Sequence, residues 1–115
     1  MMKFSQTENR GGRPCWNRDT QAQALRVELA DGSSYLFPYA RLAFVRFESG
    51  KDHDVLRVSL DTHDVQIVGK NLHQMELALQ KSAVDWVREL PARYDLQSSD
   101  DSVWITSVTV TELQQ

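Results

Sequence analysis

Histidine beside carboxylate is the pairing from which zinc and other divalent-metal sites are built. The 115-residue sequence has three histidines, and two of them have acidic neighbours. Asp52 and Asp54 flank His53, and Asp61 and Asp64 surround His63. Asp61 and His63 make the best pair, because alternate residues of an extended segment face the same way. They are the expected ligands if a metal binds. No Cys-x-x-Cys or i,i+4 histidine pairing fixes a geometry, and Asp serves turns for purely local reasons.

Other chemistries have thinner support. Cys15 lies near Arg13 and Arg18, which would favour a thiolate, but no histidine is close in sequence. The serines sit in no Gly-x-Ser-x-Gly elbow, and Gly11-Gly12 is not followed by the Gly-Lys-Ser/Thr of a phosphate loop. Asp85 and Glu89 flank Trp86 and Val87, where burial would raise a carboxyl pKa. An outward-facing place on an amphipathic strand explains them more simply. No residue pattern calls for a cofactor, and the chain reads as non-enzymatic.

Binding has more to work with. Tyr35, Phe37 and Tyr39 alternate around Pro38, with Arg41 and Arg46 close by. Aromatics interleaved with arginine can stack single-stranded bases or hold a small ligand. The formal charge of −3 argues against nucleic acid, since a phosphate backbone asks for a basic surface. A protein partner, or a second copy of the chain, makes the smallest demand. Trp86, Trp104 and Tyr94 add apolar surface for such an interface. A final strand at a sheet edge, with no lysine to discourage pairing, would offer free backbone groups.

These residues need elements to position them. Residues 1–15 hold Gly11, Gly12 and Pro14 without hydrophobic period, and read as a flexible arm before a single domain at 16–115. Leu25, Val27 and Leu29 alternate with charge, which predicts a strand from Ala24. Asp31-Gly32 supplies a hairpin turn, and a second strand through Tyr35–Phe37 stops at Pro38. Leu42–Glu48 is apolar on both faces for part of its length, which predicts a central, doubly covered strand. Val55–Leu60 and Val65–Val68 follow as strands, with Gly69 ending the run. Asn71 with Gln74 three residues on predicts a capping box for a helix over Leu72–Lys81. Strands over Val84–Leu90 and Val103–Thr111 complete the order.

The expected fold is α+β. A mostly antiparallel, curved five-strand meander carries one packed helix and two further C-terminal strands. Hydrophobic residues at 41% suffice for one core in a chain this long. No apolar run reaches the ~18 residues of a membrane span. The N-terminus has no signal-peptide pattern, and the one cysteine can form no internal disulfide. A cytoplasmic binding or interaction module, able to self-associate, is the reading these features support together.

Overall fold

The computed structural model describes residues 14–90 and 103–114. Eight strands and one α-helix occur among them: β1 (Trp16–Arg18), β2 (Ala24–Glu28), β3 (Ser34–Pro38), β4 (Leu42–Glu48), β5 (Asp54–Leu60), β6 (His63–Lys70), α1 (His73–Gln80), β7 (Val84–Arg88) and β8 (Trp104–Glu112). The fold is α+β and mostly antiparallel. No helix among the described residues is long and apolar enough to cross a membrane.

The strands form two sheets, in the orders β1-β7-β2-β3 and β4-β5-β6-β8. This corrects the single five-strand meander. A turn of 3-10 helix at Tyr39–Arg41, directly after Pro38, breaks the run between β3 and β4 and carries the chain from one sheet to the other. The meander that remains has three strands, β4 to β6, with β8 added beside β6. β7 inserts between β1 and β2, and it runs parallel to β2.

Local signals explain much of this. In the β2–β3 hairpin, Gly32 takes φ +93°, and the Asp31 carboxylate accepts from the Ser33 amide and hydroxyl. In β5, Leu56, Val58 and Leu60 are buried while Arg57 is exposed. The two-residue Asp61-Thr62 link sets Ser59 opposite Asp64 and Val58 opposite Val65, so buried positions pass from even to odd numbers. Both sheets and the helix contribute to one hydrophobic cluster, with Val27, Val58, Ile67, Met75, Val87 and Ile105 fully enclosed.

Three local expectations change. Leu42–Glu48 is an edge strand, not a central one, because β4 pairs only with β5. β6 runs through Gly69 to Lys70, and the glycine serves close approach: a Cβ there would overlap the Trp104 carbonyl oxygen. Asn71 precedes the N-cap, which is Leu72, without a side-chain cap bond. It takes φ +59°, and the Asp54 carboxylate accepts the Leu72 amide instead, at 3.1 Å. Its other oxygen accepts from the Gly50 amide at 3.4 Å, tying the β4–β5 turn to the helix start.

Residues 1–13 of the expected arm lie outside the described residues. Cys15 is buried, and its carbonyl accepts the Arg88 amide at 2.8 Å.

Gly69→Ala should destabilise the fold by about 1–3 kcal/mol or more, the range for forced overpacking. Urea unfolding of the variant checks this, and an unchanged midpoint would refute the close approach.

Candidate functional site

The five residues of the aromatic–arginine run fall in three places. Tyr35 and Phe37 share one face of β3 and stack, with ring centroids 5.6 Å apart and an interplanar angle of 7°. His63 tilts against both rings at 5.5 Å. Phe37 is buried and Tyr35 borders on exposed. Tyr39 turns elsewhere. Its hydroxyl donates to the Val84 carbonyl at 2.8 Å and accepts the Val84 amide at 3.2 Å. Arg41 pairs with Asp61 at 2.6 Å. Arg46 stands on the outer face of β4, 2.8 Å from Glu48. Asp61 thus has one oxygen on a guanidinium, and His63 Nδ1 lies 2.8 Å from the Thr62 hydroxyl. Among the described residues no three His, Cys, Asp or Glu side chains cluster as a metal would need.

Asp85 lies 3.4 Å from the Asn17 amide nitrogen. Glu89 accepts the Val108 amide at 3.3 Å, and the Leu90 amide donates to the Ile105 carbonyl at 3.2 Å. Both contacts fall on β8, which is an edge strand of its sheet. Its edge is therefore occupied over Ile105–Val108 by a carboxylate and a backbone amide. An inward-pointing charge is a recognised way to close an edge.

Three other edges remain. β1 has three residues, and β3 has five and ends in Pro38. β4 has seven, without proline or lysine, and no backbone among the described residues pairs with its outer side. β4 also carries apolar residues on both faces, with Arg46 and Glu48 beside Phe44 on the outer one. Phe44 is 57% exposed on the outer face, while Val45 and Phe47 are half-buried on the other. Beside them runs α1, which packs against β4 and β7. The groove between β4 and α1, about 430 Å3, is lined by Leu42, Val45, Leu77 and Leu79, with His73 and Glu76 paired at 2.9 Å. Leu77 is 49% exposed. The His73 ring meets Phe47 at 5.6 Å.

This groove exists because Asp54 holds the helix start against the β4–β5 turn. Met75, Ala78 and Leu79 bury one stripe of α1 and leave Leu77 outside it. Sequence reading missed the site. Its one available signal was the apolar pattern on both faces of Leu42–Glu48, which also fits a buried strand.

A second pocket, under the β2–β3 turn, is lined by Glu28, Leu29, Ala30, Gly32, Arg88, Glu89 and Leu90. Its charges are already committed: Arg88 Nε lies 3.0 Å from Glu28, and Glu89 closes β8. The open edge of β4 with its groove is the stronger candidate, and what it can do is take an extended chain.

Burial pushes the Cys15 thiol up to about 11, against backbone hydrogen bonds that lower it. Burial likewise raises the Tyr39 hydroxyl to about 12. The folded state holds both protons more tightly than the unfolded chain. Stability should therefore be constant below pH 9, then fall towards pH 11 through Cys15 and towards pH 12 through Tyr39. Urea midpoints measured across that range should show the fall, and Cys15→Ala should remove its early part. A flat profile would contradict both assignments. Tyr39→Phe should cost about 1–3 kcal/mol at neutral pH, because it strips both Val84 backbone groups of a partner.

Comparison with known protein families, curated proteins and solved structures finds no match to this chain.

Proposed function

We propose that this chain is a small, non-enzymatic interaction module that binds an extended segment of a protein by strand addition at β4. One observation carries the reading: β4 is a seven-residue edge strand with apolar residues on both faces and no backbone partner on its outer side among the described residues, while the edge of β8 is occupied over Ile105–Val108 by Glu89 and Leu90. An incoming strand gains main-chain hydrogen bonds along such an edge, and its alternate side chains reach the neighbouring groove. Phe44 and Leu77, both well exposed, would be covered by it. The partner is a protein, either another chain or a second copy. A reducing, cytoplasmic setting goes with this reading, since the one cysteine has no partner within the chain.

A photo-crosslinking amino acid placed at Phe44, Leu77 or Thr109, in cells that make the protein, tests the location. Adducts should form from Phe44 and Leu77 and not from Thr109. Adducts from Thr109 alone would move the interface to β8, and adducts from none would contradict the reading.

A further inference from the structure

The outer face of β4 carries an unusual pairing. Arg46 stands directly opposite Arg57 of β5. Like charges directly opposite on one sheet face are destabilising. Each guanidinium finds help along the sheet: Arg46 from Glu48 at 2.8 Å, and Arg57 from Gln66 at 2.7 Å. One acid and one amide thus serve two cations, and Arg46 is 65% exposed at the open edge. The other side of β4 faces the groove, which is apolar along Leu42, Val45 and Leu77.

We infer that the segment received by β4 belongs to a different protein, with apolar residues towards the groove and an acidic residue beside Arg46. Resting on the strand-addition reading, this names the chemistry of the partner. Alternate side chains of an added strand point to opposite faces. Those on the groove side meet Val45 and Leu77 and are apolar. Those on the outer side run past Phe44, Arg46 and Glu48, and the one beside Arg46 is Asp or Glu, because a carboxylate there answers the Arg46–Arg57 pair. A second copy answers it badly. Laid antiparallel with all seven residues of β4 paired, the copy sets its Arg46 opposite Phe44, diagonal to the first Arg46, with an Arg57 behind each. Diagonal neighbours are within reach of long side chains, so the copy adds a second Arg46–Arg57 pair and no carboxylate beyond the Glu48 that each Arg46 already holds.

Three labelled seven-residue peptides test this by fluorescence polarisation against the whole chain: valine alternating with glutamate, with glutamine and with lysine. The glutamate peptide should bind tightest and the lysine peptide weakest, with successive steps of about three- to tenfold. Added salt should compress the differences. Arg46→Glu should invert the order, and Arg46→Gln should flatten it. Both variants should stay folded, with melting temperatures within a few degrees of the parent, as exposed surface substitutions do. Equal binding of the three peptides, or an order that Arg46→Glu leaves unchanged, would overturn the inference while leaving strand addition standing. Binding of none by a chain that stays monomeric would remove strand addition itself. A concentration-dependent dimer that excludes every peptide would assign the edge to a second copy and overturn the inference as well.

Discussion

β7 is the strand on which the first sheet is assembled. It lies between β1 and β2, antiparallel to the first and parallel to the second. A parallel pair requires a long crossover, and here the crossover is β3 to β6 together with α1. Both ends of β7 are fastened. Before it, the Ala83 carbonyl accepts the Asp19 amide, and the Tyr39 hydroxyl closes both backbone groups of Val84. After it, the Arg88 amide reaches the Cys15 carbonyl, and Leu90 crosses to Ile105 in the other sheet. Val84 and Val87 are fully buried. Without this strand β1 has no partner, β2 keeps only its hairpin mate, and the two sheets lose the link through which Glu89 and Leu90 reach β8.

The same constraint decides which edges are open. Docking of β7 brings Glu89 and Leu90 against β8, so that edge is spent on holding the sheets together. α1, delivered between β6 and β7, settles against β4 and β7. Asp54 fixes its first turn, and the groove forms at the other side of the second sheet. Closing one edge and framing the other are thus two consequences of a single chain path. An edge strand as apolar as β4 is otherwise a liability for aggregation, which a partner strand would relieve.

Features written in short stretches of sequence were legible. Asp31-Gly32 dictates its turn through positive φ, the alternation over Leu56–Leu60 names its buried face, and Leu72, Met75 and Leu79 mark the helix. What depends on distant residues was not. The pattern of a strand does not say which strand it pairs with, so the division into two sheets stayed hidden. β1, with the residues Trp-Asn-Arg, has no alternation to notice. Gly69 looks like a stop but admits the backbone of β8. Asn71 has the chemistry of a cap, yet the Leu72 amide at the helix start goes to Asp54, 18 positions before it. The site was hidden for the same reason. Tyr35 to Arg46 are contiguous in sequence, but strand alternation and the turn at Tyr39–Arg41 send them to separate places. The groove joins Leu42 and Val45 to residues 73–82, a conjunction only the tertiary fold makes.

Residue-resolved amide hydrogen exchange of the isolated protein tests the central claim most directly. It reads the docking of β7 and the state of both edges in one experiment. Paired amides of β7 should exchange only through global unfolding, and the Val108 amide, held by Glu89, should be protected with them. Alternate amides of β4, those facing away from β5, should exchange many orders faster. Uniform protection along β4, or rapid exchange at Val108, would contradict the account.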